Sequence, residues 1–289
     1  MYTPKHNFLI GIDSDGCAFD TMELKHKECF APNTIHYWEL KGISKYAREA
    51  VEFVNLYSTS RGINRFPALV EVLQWLQRRP EVRDRGVKVE VPPSLLEWVK
   101  TETKLGNPAL KKMVEATGDP ALTNTLAWSE AVNETVDRIV GDGVPPFPFV
   151  RECLEKMQSW ADVLVVSATP QAALVREWEN QNLLSFVAAI CGQEVGTKKE
   201  SLQFAQKEGS YPPNHILMIG DAPGDYNAAV ANAALFFPIN PGAEEKSWER
   251  LHNEGLDRFC NETFVGDYQK QLLEEFNTYL PANPPWEIV

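Results

Sequence analysis

Three aspartates crowd one short stretch: FLIGIDSDGCAFDTM, residues 8–22, runs from apolar residues directly into Asp13, Asp15 and Asp20 around Gly16. A carboxylate at a strand tip can attack as a nucleophile, and an aspartyl phosphate is a known kind of covalent intermediate. A second carboxyl two residues on can give a proton to a leaving oxygen and later take one from water. Two more apolar runs end in polar groups: VLVV leads to Ser167-Ala168-Thr169, and ILMI leads to Gly220-Asp221-Ala222-Pro223-Gly224-Asp225. Thr197-Lys198-Lys199 opens a further helical segment. Asp221 and Asp225 offer the anionic oxygens that Mg²⁺ takes as ligands. With the Lys198 ammonium, such a cation balances the charge of a phosphoryl group that Asp13 alone would repel. Singly, each piece also fits an Asx turn, a strand-end hydroxyl, a solvated helix start or a surface loop. In this order and after apolar runs, they point together to phosphoryl transfer.

Groups so far apart in the chain meet only if the scaffold collects strand ends. The runs FLIGI (8–12), VLVVSA (163–168), ILMIG (216–220) and LFFPI (235–239), with a weaker VAAIC (187–191), are unbroken rather than alternating. That pattern predicts strands covered on both faces, as in a parallel sheet, whose ligands gather at the carboxyl ends. ALVREWENQNLL (173–184) and KESLQFAQKEG (199–209) supply crossover helices, so the stretch from 150 to 239 reads as αβ repeats. Two more helices are predicted after 240, before the proline-rich PANPPWEIV.

Residues from about 21 to 145 behave differently. Segments 44–58, 65–79, 92–103, 108–116 and 120–140 carry apolar residues at three-and-four spacing, several starting near Ser or Pro. They predict an all-helical insert after the first strand, with GDGVPPFPFV (141–150) as the return linker. Within it, Arg61, Asn64 and Arg65 of STSRGINRF can reach an anionic or polyhydroxylated substrate, or the two arginines can cover the helix ends they precede, and the second reading is preferred. His26 and His36 are weaker candidates. Trp38, Trp75, Trp98 and Trp128 sit at helical spacing and read as core.

Composition bounds the rest. With 40 acidic residues against 28 basic ones the formal charge is −12, which disfavours nucleic acid while allowing a local positive pocket. The five scattered cysteines have no CxxC or metal-finger spacing, no run approaches a membrane span, and the N-terminal apolar run is broken at Asp13. A cytoplasmic protein is expected.

The set DSDG, SAT, a lysine before a helix and GDAPGD resembles the four motifs of the haloacid dehalogenase superfamily, most of whose members are Mg²⁺-dependent phosphatases. The resemblance implies a Rossmann-like three-layer α/β core over 1–20 and 145–289, with a helical cap over 21–144. It makes Asp13 the nucleophile and Asp15 the general acid/base. Ser167 holds the phosphoryl oxygens, and a lysine steadies nucleophile and phosphate. Lys198 and Lys199 both qualify as that lysine, and the spacing to Leu202 puts Lys198 first. The metal set is Asp13, Asp15 through its backbone carbonyl, Asp221 and Asp225. Cys17 and Ala18 depart from the family's usual DGTLxDT at packing positions. The cap is expected to close over the motif face, favouring a small phosphorylated metabolite.

Other readings fit less well. Haloalkanoic acid dehalogenases have no acid/base Asp at the second position, and phosphonatases need a cap lysine, for which Lys25, Lys27 and Lys41 are undistinguished candidates. Phosphomutases keep both aspartates and stay open as an alternative. A dinucleotide-dependent oxidoreductase would need a GxGxxG after the first strand, where this chain has DSDG. A non-catalytic scaffold would be expected to have lost some of the carboxylates.

Overall fold

The computed structural model describes residues 3–141 and 143–287. The sheet has five strands, β1 (Phe8–Ile12), β2 (Ala161–Val166), β3 (Ala189–Cys191), β4 (Ile216–Gly220) and β5 (Leu235–Pro238), all parallel in the order β3-β2-β1-β4-β5. β1 is central, with Ile12 level with Val165 of β2 on one side and Ile219 of β4 on the other. The chain builds outward from β1 through β2 to β3, then crosses back to β4. The topological switch therefore lies beside β1, and the carboxyl ends of β1, β2 and β4 come together there.

Two compact units divide the chain, Met1–Met22 with Asp142–Leu280, and Glu23–Gly141 with Pro281–Val289. The inserted unit is helical: α1 (Ala31–Tyr37), α2 (Ser44–Leu56), α3 (Arg65–Arg78), α4 (Pro93–Thr101), α5 (Asn107–Thr117) and α6 (Pro120–Val140). Its core holds Phe53, Phe66, Leu73, Trp75, Trp98 and Trp128, with Phe66 edge-on to Trp98, their centroids 4.9 Å apart. Helix starts are marked locally: Asn64 accepts from Phe66 N–H to cap α3, and Asp119 accepts from Ala121 and Leu122 N–H to cap α6.

The α/β unit is three-layered. Ile10, Ile12, Val163, Val165, Leu217 and Ile219 face one side, covered by Leu154 and Met157 of α7 (Val150–Met157) and Leu174 and Trp178 of α8 (Gln171–Asn180). Leu9, Leu164, Val166, Ile216 and Met218 face the other side. There Leu202 and Ala205 of α9 (Lys198–Gly209), Ala228 and Ala229 of α10 (Pro223–Ala231) and Phe276 of α11 (Asp267–Tyr279) cover them. Each strand thus buries both faces, the physical origin of its unbroken apolar run. Among the described residues no helix is long and apolar enough to cross a membrane.

One assignment changes. The sequence reading places all of 145–289 in the core, whereas the chain from Pro281 groups with the helical unit. Thr59 N–H donates to Pro281 C=O, and Trp286 packs edge-on to Phe53 with ring centroids 5.6 Å apart. The Arg79 guanidinium lies 4.3 Å from the Trp286 ring and 4.5 Å from the Tyr46 ring, and pairs with Glu49 and Glu81. An aromatic and cationic seat for Trp286 pulls the tail to the helices. Asp142, within the expected return linker, lies outside the described residues, as do 288–289 of the proline-rich end.

Candidate active site

Asp13 follows β1 directly, Ser167 follows β2, and Asp221 follows β4, so the parallel register sets all three at one edge of the sheet. Asp13 N–H donates to Ile219 C=O at 3.0 Å and Ser167 N–H to Cys191 C=O at 3.0 Å, extending the ladder by one residue at each tip. Beyond Asp13 the chain turns at Gly16, whose φ of +77° suits glycine.

Carboxylate oxygens of Asp13, Asp221 and Asp225, all three buried, lie within 4.8 Å of one another. Lys198 reaches into this group, its Nζ 2.8 Å from Asp13 Oδ2 and 2.6 Å from Asp225 Oδ1. A capping box fixes the lysine: Thr197 Oγ1 accepts from Glu200 N–H while the Glu200 carboxylate accepts from Thr197 N–H. That makes Lys198 the first residue of α9, aimed inward, and leaves Lys199 exposed. Asp225 is held by Ala222 N–H at 3.1 Å in the first turn of α10.

Three buried carboxyl groups and one ammonium shape the local electrostatics. Burial pushes the Asp13 carboxyl well above its usual range, Lys198 opposes this, and Asp225 and Asp221 add to it. Burial disfavours the Lys198 ammonium, yet Asp13 and Asp225 hold its pKa above the ordinary value. Asp13 Oδ1 is shielded from solvent and has no hydrogen-bond partner among the described residues. A buried carboxylate oxygen without a partner, beside two more carboxylates and one ammonium, fits a hard divalent cation with oxygen ligands such as Mg²⁺. Asp13, Asp221 and Asp225 would hold it.

Asp15 lies apart from this cluster by its side chain. Its Oδ2 accepts from Thr169 Oγ1 at 2.9 Å and its Oδ1 from Thr21 Oγ1. Ser167 Oγ accepts from Thr169 N–H at 3.2 Å, so the loop after β2 is tied to the acidic turn through Thr169. Thr21 and Thr169 have no role in the sequence reading, although Thr169 sits in the quoted SAT. Ser14, Glu177 and Trp178 also engage the acidic turn, and no local pattern marks them.

In the helical unit, Arg61 is buried and donates to Leu56 C=O at the end of α2, at 2.9 Å. Asn64 caps α3. Arg65 donates to Ser129 and Asn133 of α6 and stacks over Phe30 at 5.2 Å, and burial lowers its pKa. The His26 ring lies tilted against Phe30 with centroids 4.5 Å apart, and Lys27 pairs with Glu23.

No family model matches the chain, and no curated protein matches it. Solved structures do. A candidate phosphoglycolate phosphatase from Lactobacillus delbrueckii subsp. bulgaricus is 15% identical, with 94% of this chain and 99% of that one covered at a TM-score of 0.49. A candidate beta-phosphoglucomutase from Thermotoga maritima is 14% identical, with 86% and 99% covered at 0.45. A haloacid dehalogenase-like family hydrolase from Xanthomonas campestris is 12% identical, with 82% and 84% covered at 0.44. At such identities and TM-scores, the chain's own residues must define its chemistry.

Proposed function

We propose that the chain is a Mg²⁺-dependent phosphoric monoester hydrolase of the haloacid dehalogenase type, acting in the cytoplasm on a small phosphorylated metabolite. The observation that carries this reading is the buried Asp13, one oxygen paired to Lys198 at 2.8 Å and the other without a partner among the described residues, beside Asp221 and Asp225. Asp13 attacks phosphorus and forms an aspartyl phosphate. Asp15 gives its proton to the departing alkoxide, then takes one from the water that cleaves the acyl phosphate. Lys198 holds Asp13 in place and offsets charge on the phosphoryl oxygens, and Ser167 orients them. A divalent cation held by Asp13, Asp221 and Asp225 would supply Lewis-acid neutralisation of that charge. The net charge of −12 and the free cysteines support a small-molecule substrate and a reducing compartment.

A panel of sugar phosphates, nucleotides and phospho-acids assayed with Mg²⁺ tests the reading. Turnover abolished by EDTA, and reduced by orders of magnitude in Asp13→Asn and Asp15→Asn, is expected. A panel with no turnover at all would overturn it.

A further inference from the structure

Ser14 lies between the two aspartates assigned to the chemistry, and its surroundings are unusually complete. It is fully buried. Its Oγ accepts from Trp178 Nε1–H at 3.0 Å and donates to Glu177 Oε2 at 3.2 Å. Its carbonyl oxygen accepts from Ala18 N–H at 3.0 Å and Phe19 N–H at 3.1 Å. Trp178, also fully buried, meets the same turn a second time through Phe19, edge-on with centroids 5.6 Å apart. One helix, α8, therefore grips the acidic turn at both ends.

We propose that Ser14, locked by Trp178 and Glu177, is a positioning residue that sets the aim of Asp13 and Asp15. This rests on the hydrolase reading above. Both aspartates are joined to Ser14 by peptide bonds, so a rotation at Ser14 swings both carboxylates. Asp13 pairs with Lys198, and Asp15 accepts from Thr21 and Thr169. The Ser14 side chain ties the turn to α8 by two hydrogen bonds, one to each of two neighbouring residues of that helix. The relay from indole N–H through hydroxyl to carboxylate needs a group that accepts and donates at once, which serine supplies and an aliphatic residue does not. An aliphatic residue there would still fill space but would leave the buried Trp178 N–H without its acceptor.

The test compares wild type with Ser14→Ala, Trp178→Phe, Glu177→Leu and Glu177→Gln. For each, kcat and KM for p-nitrophenyl phosphate, the Mg²⁺ half-saturation and the melting temperature are measured, and calorimetry counts the sites that bind orthovanadate with Mg²⁺. Turnover per vanadate-binding site is expected to fall by about 10- to 100-fold in the first three, the scale of a small misplacement of reacting groups. KM and Mg²⁺ half-saturation should hold, and the Ser14→Ala and Trp178→Phe losses should not multiply. Glu177→Gln, which keeps an acceptor, should restore turnover lost in Glu177→Leu. Unchanged turnover per site, even with a lower melting temperature or fewer binding sites, would overturn the positioning role alone. If Ser14→Ala does not fold, the Glu177 pair decides. A wild type inert toward every phosphomonoester would overturn the hydrolase reading and this inference with it.

Discussion

Gly220 faces Asp225 so closely that a Cβ on the glycine would stand 2.4 Å from both Cβ and Cγ of the aspartate. The last residue of β4 is thus the floor on which one carboxylate of the Asp13, Asp221 and Asp225 cluster rests. Gly220→Ala must push Asp225 aside, and with it the Lys198 ammonium 2.6 Å away. Overpacking of this kind costs about 1–3 kcal/mol. The expected outcome is a lower melting temperature and a Mg²⁺ half-saturation raised by about tenfold or more, the equivalent of roughly 1.4 kcal/mol. Metal titration by calorimetry checks it, and an unchanged affinity would count against Asp225 as part of the cation site.

Lys198, and not its neighbour, should carry the cationic role. Lys198→Met leaves the buried carboxylates of Asp13 and Asp225 without their ammonium and is expected to lower turnover by about 100-fold or more, since removal of one charge-stabilising group commonly has that scale. Lys199→Ala, at an exposed position in the same turn, should stay within about twofold. Steady-state assays of the two variants side by side decide between them.

Asp13 makes the metal-free protein sensitive to pH in a stated direction. Its folded pKa is raised above the unfolded value, chiefly by burial. The fold therefore prefers the protonated carboxyl. The associated stability is fully present below the unfolded pKa of about 4 and is lost as pH rises toward and through the folded value. Melting curves in EDTA should show this decline between acid and neutral pH, Asp13→Asn should remove its share of the slope, and Mg²⁺ should restore stability at neutral pH in wild type but much less in the variant. A metal-free wild type whose stability rises across that window in parallel with Asp13→Asn would contradict the assignment.

The tail should matter to the helices on which it lies. Trp286→Ala removes the edge-on contact with Phe53 and the face over Arg79, a loss of roughly 1–3 kcal/mol for a partly buried aromatic with a cation partner. Deletion after Leu280 should cost at least as much. Hydrogen exchange would show the loss as faster exchange in α2 and α3, and equal protection in the truncated and full-length chains would refute it.

What the sequence discloses follows from how local each cause is. FLIGI, ILMIG and the carboxylates after them are legible because a strand buried on both faces must be apolar along its length, and the chemistry stands at the next residue. Lys198 is legible because its spacing to Leu202 puts it ahead of Lys199, and the capping box of Thr197 and Glu200 then sets it as the first residue of α9. Ser14 and Trp178, 164 positions apart, meet only after the sheet and α8 assemble, and nothing near either residue announces the other. Arg61, Asn64 and Arg65 look alike in STSRGINRF. Their separate duties, at the end of α2, the start of α3 and the face of α6, depend on how the helices pack. The expectation that both arginines cover the helix ends they precede gives way: Arg61 bonds the carboxyl end of α2, the helix it follows, and Arg65 bridges to Ser129 and Asn133 of α6. The seat of Trp286 is the plainest case of a long-range partner that a proline-rich ending conceals.

Because Trp286 settles on the inserted helices, the peptide backbone passes between the two units three times, after Met22, after Gly141 and after Leu280. The helical portion is for that reason no self-contained cassette. A chimera that transplanted only 23–141 into another α/β host would leave Arg79 and Phe53 without the ring that covers them, and a graft intended to transfer specificity would have to bring the distant carboxyl-terminal segment along.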